Sequence, residues 1–152
     1  MTNTLIDRLS EFVNENLPLM VNMGVSVESY DSKELVIQAP LSLNHNDKGT
    51  GFGGSLYCLC VMDAIGLAFM KCFEHGIDPD LVVGRAEIEY KAPVNSENIQ
   101  ARSVSPDDKQ WDEFFRDYEE FGKAAISLES HIHENGNVAV TFRGRFAIIG
   151  ER

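Results

Sequence analysis

The chain has 152 residues, with 24 acidic and 13 basic side chains, and its formal net charge is −11 at pH 7. This length fits one domain, residues 1–152, with a core of its own, and it is too short for a two-domain dehydrogenase or a kinase. Because nucleic acids and anionic membranes are themselves negatively charged, the net charge disfavours both as partners.

Neither the start of the chain nor its cysteines indicate a secreted protein. The first ten residues lack the cationic run and apolar segment of a secretory signal. Cys58, Cys60 and Cys72 lie in one apolar stretch, and an odd number of cysteines builds no closed disulfide framework. Reduced, buried thiols are typical of cytoplasmic proteins, so we predict a cytoplasmic location.

Apolar periodicity in the first half of the chain predicts a helix, two strands and a second helix. The second helix contains Leu56–Met70, is apolar nearly all round and follows a polar, glycine-rich loop over 42–54. Its apolar run of 15 residues is too short for a membrane span and has Asp63 at its centre, so we predict a helix enclosed by the core. The first helix is predicted from Leu5 to Leu17-Pro18, and the two strands over 23–30 and 34–41.

The second half of the chain predicts strands around one more helix. Apolar and polar residues alternate strictly along these strands, which is typical of antiparallel strands with one buried face. A sheet wrapped around the fully apolar helix satisfies both patterns, so the predicted class is α+β. The predicted elements are strands over 81–91 and 99–105, a helix capped by Ser105 and stopped by Gly122, and a final hairpin with Asn135-Gly136 at its tip. Along the strand over 81–91, one face is predicted to hold Val82, Gly84, Ala86, Ile88 and Tyr90.

The glycine-rich segment Gly49–Gly54 allows two interpretations. It matches the G-x-G-x-x-G spacing of dinucleotide-binding loops, but that motif follows a strand directly, and here residues 41–48 intervene. In the second interpretation, which we favour, the turn exposes the backbone N–H groups of Gly53, Gly54 and Ser55 at the positive end of the helix. A carbonyl oxygen that becomes an oxyanion during a reaction would be stabilised there.

The loop from Asn46 to Gly54 resembles the N-x-x-G-T-x-H-G-G loop of hotdog-fold acyl-CoA thioesterases. More closely, the run from Leu17-Pro18 through Asn44-His45-Asn46 to Phe52-Gly53-Gly54-Ser55-Leu56 is similar to a bacterial thioesterase family found alone or fused behind an acyltransferase domain. The resemblance covers nearly the whole chain and implies a curved antiparallel sheet around a long central helix. It also implies an acyl-CoA type of substrate, no cofactor, and a homodimer or a dimer of dimers, because acyl sites on this fold lie between subunits.

The resemblance assigns roles to two residues and fails at two others. Asn46 matches the asparagine that helps to hold the thioester carbonyl or the attacking water, and Gly53 matches the glycine whose N–H forms the oxyanion hole. Phe52 stands where better-known relatives have histidine, and Val61 stands where they have the catalytic aspartate. Asp63 lies two positions later, but two residues rotate a helix by about 200°, so Asp63 cannot simply replace the missing acid.

The general base therefore has three candidates. His45 in the loop belongs to the residue type that exchanges protons near neutral pH, and Asp47 lies beside it. Asp63 is either catalytic or a buried carboxylate with a partner inside the protein or at a subunit interface. For His45 the sequence alone favours the alternative, a solvated loop residue.

Four further residues, Asn44, Phe52, Gly54 and Ser55, are candidates for substrate binding. Asn44 could instead shape the loop, and Ser55 could simply cap the helix. A different pair, His131 and His133, shares a strand face, but no third ligand is visible, so we predict no metal site.

The predicted reaction is the hydrolysis of an acyl thioester by an activated water. One alternative is a thioester-binding domain without catalysis that partners an acyltransferase, which the missing helix aspartate favours. A second is a dehydratase or isomerase on the same fold, which would need an acid paired with His45.

Coenzyme A is preferred to acyl carrier protein as the carrier, because acyl carrier protein is acidic and this chain is also negatively charged. The phosphates of coenzyme A would need a local group of basic side chains. The candidates are Arg85, Arg143 and Arg145 with Lys48 or Lys91. In the alternative interpretation, these side chains only form ion pairs across the strands.

Overall fold

The computed structural model describes the backbone of residues 2–152 and the side chains of residues 4–152. In this part of the chain, four α-helices and six strands follow one another in the order α1, α2, β1, β2, α3, β3, β4, α4, β5, β6, with a single 3₁₀ turn over Leu41–Leu43 between β2 and α3. The helices are α1 (Thr2–Asn16), α2 (Pro18–Asn22), α3 (Gly53–Glu74) and α4 (Asp108–Phe121). The strands are β1 (Ser26–Tyr30), β2 (Glu34–Pro40), β3 (Pro79–Tyr90), β4 (Asn98–Val104), β5 (Ala124–Glu134) and β6 (Asn137–Glu151).

All six strands form one antiparallel sheet in the order β1-β2-β4-β5-β6-β3. The helix α3 contacts five of them, β2 to β6, which requires the sheet to curve around the helix. This is the predicted α+β hotdog fold. The dinucleotide-binding interpretation of the glycine loop is excluded, because that motif belongs to a parallel βαβ unit.

Helix α3 is the centre of the core. By length and composition it could cross a membrane, but 72% of its most apolar window is buried inside the protein, as expected for a core helix, and the fold does not indicate a membrane protein. Its buried side chains pack against inward-facing strand residues, among them Leu35, Ile37 and Phe142, which are at most 1% exposed. Burial of these apolar side chains supplies the main driving force for folding.

Three local features differ from the sequence prediction. The first helix ends at Asn16, before Leu17-Pro18, as predicted, but Pro18 then begins the short helix α2, which was not predicted, because proline is well suited to the first turn of a helix. Asp107, not Ser105, caps α4, since its carboxylate accepts a hydrogen bond from Gln110 N at 3.0 Å. Ser105 Oγ instead accepts a hydrogen bond from Trp111 Nε1 at 2.7 Å.

The third difference lies in β3, where a bulge reverses the predicted faces at one end. The register shifts between Val83 and Arg85, so that Val83 pairs with the buried Phe146 while Arg85 pairs with Arg145. Val83 and not Val82 is therefore on the inner face of the strand. Strand β3 also lies at the edge of the sheet, and Val82, Val83 and Tyr90 on it are 39%, 45% and 50% exposed.

Candidate active site at the start of helix α3

The loop that precedes α3 is held by two asparagines with different partners. Asn44 is buried and its amide nitrogen donates to Met23 O at 2.9 Å and to Pro40 O at 2.8 Å. Asn46 Oδ1 accepts hydrogen bonds from the backbone N–H groups of Lys48 and Thr50, at 2.9 Å and 3.1 Å. These contacts shape the loop, although Asn44 Oδ1 has no partner among the described residues. The predicted roles of both asparagines toward a substrate stay predictions.

A second layer of contacts fixes the loop from outside. Gly51 N donates to Val94 O at 2.8 Å, which ties the loop to the segment before β4. That segment is held in turn by Glu134 at the end of β5, whose Oε1 accepts from Asn95 N, Ser96 N and Ser96 Oγ at 2.9–3.2 Å. The loop therefore depends on a residue far away in the sequence.

The first turn of α3 offers three backbone donors. Phe52 is the N-cap residue and has no side-chain cap, and the first hydrogen bond into the helix runs from Leu56 N to Phe52 O at 2.9 Å. The N–H groups of Gly53, Gly54 and Ser55 have no acceptor among the described residues. Ser55 thus does not cap the helix, and the free donors lie where the helix dipole is positive.

Two exposed aromatic rings flank these donors. Phe52 is 54% exposed, and its ring lies so close to Gly54 that a Cβ there would approach Phe52 Cε2 to 2.7 Å. Tyr90 lies beside Gly53, and its hydroxyl donates a hydrogen bond to Gly53 O at 2.7 Å. From the sequence, Tyr90 is predicted only to lie on a strand face; its position at the end of the strand that follows α3 was the available signal for a place in the site.

His45 lies on the solvent side of the same loop. It is exposed, its Nδ1 lies 2.9 Å from Asn46 O, and it pairs with Gly51 in an isolated β-bridge. With Asn46, Asp47 and Phe52 it lines an open depression of about 700 Å³. The structure therefore brings four of the predicted residues to one surface, while Asp47 forms an exposed ion pair with Lys48 at 3.3 Å.

Asp63 is not part of this surface. It is completely buried, ten residues and hence about 15 Å along α3 from Gly53. Its Oδ2 accepts a hydrogen bond from Ser130 Oγ at 2.7 Å, and its Oδ1 has no partner among the described residues. Burial raises the pKa of Asp63 well above its usual range, against the opposing effect of the hydroxyls of Ser130 and Ser103. Its place inside the core, away from the start of α3, does not suit a general base for a water at the free amides.

The described part of the chain contains no assembled set of metal ligands. No group of three His, Cys, Asp or Glu side chains there could hold an ion. The rings of His131 and His133 are 6.5 Å apart, and His131 Nε2 lies 3.8 Å from Glu129 Oε1. The expectation of a protein without a metal stays a prediction.

The geometry agrees with what comparison with known proteins shows. The model of the family YiiD_C, described as "Putative thioesterase (yiiD_Cterm)", matches residues 6–150. A solved structure of the protein OLEI01261, of unknown function, from Chlorobaculum tepidum TLS is 36% identical, with 99% of this chain and 97% of that chain covered and a TM-score of 0.95.

Two more distant structures agree in fold. A "putative thioesterase" from Shewanella oneidensis is 26% identical, covers 97% of this chain and 99% of its own, and has a TM-score of 0.87. The protein PA5026 of Pseudomonas aeruginosa, described as a "probable thioesterase", is 18% identical over 93% of both chains with a TM-score of 0.76, and shows likeness of fold alone. Together they confirm the architecture predicted from the sequence.

Proposed function

The chain belongs to the "putative thioesterase" family YiiD_C, and from that premise we propose that it hydrolyses an acyl thioester of coenzyme A. The observation that carries the proposal is the set of free amides at Gly53, Gly54 and Ser55, on a helix start that the solvent reaches. Backbone donors of this kind stabilise the oxyanion of acyl transfer. Thioester hydrolysis is an acyl transfer to water.

In the proposed mechanism, the thioester carbonyl oxygen accepts hydrogen bonds from Gly53 N and Gly54 N. Water attacks the carbonyl carbon while His45 takes one of its protons, and the carbonyl oxygen becomes the oxyanion that the two amides hold. The C–S bond then breaks, the thiol leaves with the proton from His45, and the free acid is released. His45 is preferred to Asp63 as the base because it is exposed and lines the same depression as Phe52.

The test of this function is thiol release from a panel of acyl-CoA esters of increasing chain length. We expect His45→Ala to lower kcat by about 10²-fold, since a positioned general base contributes at least that much. His133→Ala is the matched control, because His133 is also exposed but lies on β5, outside the depression. Full activity of His45→Ala, or an equal loss in His133→Ala, would contradict the assignment of the base.

Tyr90 is proposed to strengthen one of the two amide donors. Its hydroxyl donates to Gly53 O, and that carbonyl belongs to the same peptide unit as the N–H of Gly54. A hydrogen bond received at the carbonyl polarises the peptide unit and makes its N–H a better donor. Tyr90 is thus a positioning residue that acts on the oxyanion through the backbone.

Removing only this hydroxyl should therefore affect turnover more than binding. We expect Tyr90→Phe to lower kcat by roughly fivefold, equivalent to a hydrogen bond of about 1 kcal/mol, with KM unchanged. The backbone ¹⁵N resonance of Gly54 should shift in the same variant, which reports the polarisation without substrate. As a control, Tyr118→Phe removes a hydroxyl that donates to Glu151 and should change neither quantity.

A thioester-binding domain without catalysis is the second candidate. It is favoured by Val61 at the position of the helix aspartate and by the interior position of Asp63. Tight acyl-CoA binding without thiol release from any ester of the panel would establish it. The dehydratase or isomerase alternative is not favoured, because His45 Nδ1 lies against the backbone oxygen of Asn46 and the neighbouring Asp47 pairs with Lys48.

We also propose that the chain acts as a homodimer, or a dimer of dimers, in the cytoplasm. The support for the assembly is β3, a twelve-residue strand that has one unpaired edge and exposed apolar side chains. Folded proteins normally cover such an edge. Acyl carrier protein remains the less favoured carrier because of the charge of −11.

If β3 pairs with a second copy, a charge on its inner face should separate the subunits. We expect wild type to be a dimer and Val83→Glu to be a monomer at micromolar concentration, as measured by light scattering. Val104→Glu is the matched control, because Val104 is 67% exposed at the end of β4, which lies within the sheet. A monomeric wild type, or dissociation in both variants, would contradict an interface at β3.

A further inference from the structure

Three arginines crowd the outer face of the sheet, away from α3. Arg143 and Arg145 are exposed and alternate along β6 with the buried Phe142 and Phe146, so they point to the opposite side from the core. Arg85 on β3 lies on the same outer face, directly opposite Arg145. An open depression of about 360 Å³ is lined by Arg85, Glu87, Ser127, Arg143, Gly144 and Arg145.

The pairing of Arg85 with Arg145 is unfavourable by itself. Side chains directly opposite in an antiparallel pair hold their Cβ atoms about 4.5–5.5 Å apart, and like charges in this position destabilise the sheet. Arg145 has no carboxylate within 4.0 Å among the described residues, and its Nη1 donates to the neutral Ser127 Oγ at 3.1 Å. The pair therefore remains largely uncompensated.

The carboxylates nearby neutralise the group only in part. Glu87 Oε1 lies 3.8 Å from Arg85 Nη2, but the two side chains are 66% and 79% exposed, and such pairs contribute little. Glu129 Oε1 lies 3.2 Å from Arg143 Nε and is shared with His131. The lining of the depression thus contains three guanidinium groups and one carboxylate.

A backbone irregularity produces this arrangement. The bulge between Val83 and Arg85 turns Val83 to the core side while Arg85 stays on the outer face opposite Arg145. The lysines considered from the sequence do not contribute, since Lys48 pairs with Asp47 and Lys91 Nζ lies 4.0 Å from Glu89, and neither lines the depression. The positive group is therefore made by arginines alone, in a chain of strongly negative charge.

We propose that Arg85 and Arg145, with Arg143 beside them, bind a phosphate-bearing small molecule on the outer face of the sheet. Guanidinium forks match phosphate oxygens in a bidentate manner. A phosphate placed between the two opposed arginines replaces their repulsion by charge-assisted hydrogen bonds to both. The phosphate could belong to the nucleotide end of coenzyme A or to a free phosphate compound, and both share this chemistry.

Calorimetric titration with inorganic pyrophosphate, at constant ionic strength set by sodium chloride, tests the site. We expect Arg145→Gln to weaken pyrophosphate binding roughly tenfold to a hundredfold, since a charged hydrogen-bond partner is lost. Without pyrophosphate the same variant should melt at a higher temperature than wild type, because the like-charged pair is gone. Arg116→Gln, at an exposed position on α4, is the matched control and should change neither result.

A parallel titration with coenzyme A identifies the source of the phosphate. If coenzyme A binds more tightly than pyrophosphate and loses affinity in Arg145→Gln, the site holds the nucleotide end of the carrier. If pyrophosphate binds and coenzyme A does not compete, the site takes a free phosphate compound. Absence of binding by both, or equal binding to wild type and Arg145→Gln, overturns the proposal. No turnover is measured, so the result is independent of the proposed hydrolysis.

Discussion

Replacing Gly53 with proline is expected to lower kcat for thioester hydrolysis by about 10²–10³-fold, the usual effect of losing one oxyanion donor. Proline lacks the N–H group, and Gly53 is the first residue of α3, where proline is well tolerated. The preceding residue, Phe52, already has the extended conformation that proline requires of its neighbour, with φ −68° and ψ 131°. The substitution therefore removes a donor and leaves the helix in place.

Gly53→Ala is the matched control for this experiment. A Cβ at Gly53 would lie 3.5 Å from the ring of Tyr90, which is an ordinary contact, and alanine keeps the N–H group. We expect the alanine variant to retain kcat within a few-fold of wild type. Gly54 offers no such control, because a Cβ there would meet Phe52 at 2.7 Å.

Steady-state kinetics of both variants decide the role of this amide. The ratio of the two kcat values isolates the N–H group from the added volume, and circular dichroism with thermal unfolding confirms that α3 is intact. Equal rates for the proline and alanine variants would show that Gly53 N is not a donor of the oxyanion hole. A loss of affinity alone, with kcat unchanged, would favour the binding domain over the hydrolase.

The second large effect concerns stability and comes from Asp63. We expect Asp63→Asn to be more stable than wild type at pH 8 and to lose much less stability as the pH rises. In the folded protein, burial raises the pKa of Asp63 well above its usual range. In the unfolded chain the same carboxyl has a pKa of about 3.9.

The direction in which pH changes the free energy of unfolding depends on whether the folded or the unfolded state loses the Asp63 proton first. Below about pH 4 both states are protonated, and Asp63 then has no effect on the pH dependence. Between about pH 4 and the raised pKa of the folded state, only the unfolded chain is ionised, so the free energy of unfolding falls by about 1.4 kcal/mol per pH unit. Asparagine does not titrate, so this contribution is absent from the variant.

Urea unfolding from about pH 5.5 to about pH 9 measures the difference. The stability gained by Asp63→Asn over wild type should grow with pH through the lower part of this range. Glu119→Gln on α4 removes the same charge from an exposed position and should give a constant offset. A pH-independent difference for Asp63→Asn would show that the carboxyl is ionised in the folded protein. Asp63→Asn should also keep its hydrolytic activity, which a role as the general base would not allow.

The fold could be predicted because its signals are local. The alternation along β5 and β6 and the apolar surface of α3 are properties of neighbouring residues, and each indicates one structure. Errors occurred where two structures suit the same residues. The end of α1 before Leu17-Pro18 was predicted correctly, but proline also suits a first helical turn, and α2, which Pro18 begins, was missed. The polar run from Ser105 to Asp108 contains more than one residue able to cap.

The site could be predicted only in its local part. The free amides of Gly53 and Gly54 follow from a glycine turn before a helix, and that loop sequence also carried the family resemblance. The contact of Tyr90 with Gly53 joins residues 37 positions apart, and that of Ser130 with Asp63 joins residues 67 apart. Nothing in the sequence of α3 indicates that Asp63 faces two serines in the sheet, so its hydrogen-bond partner and the upward shift of its pKa required the structure.

The support of the glycine loop by Glu134 has a consequence for the order in which the protein acquires its active geometry. Gly51 is held by Val94, 43 residues later, and the segment after Val94 is held by Glu134, a further 38–39 residues on. During synthesis, every residue of the proposed oxyanion hole and base leaves the ribosome before its support exists. A chain synthesised only as far as the end of α4 would contain His45, Gly53 and Tyr90. It would still lack Glu134, whose hydrogen bonds hold the segment that supports the loop. Ligand binding at the helix start should thus appear late in folding, together with the final hairpin.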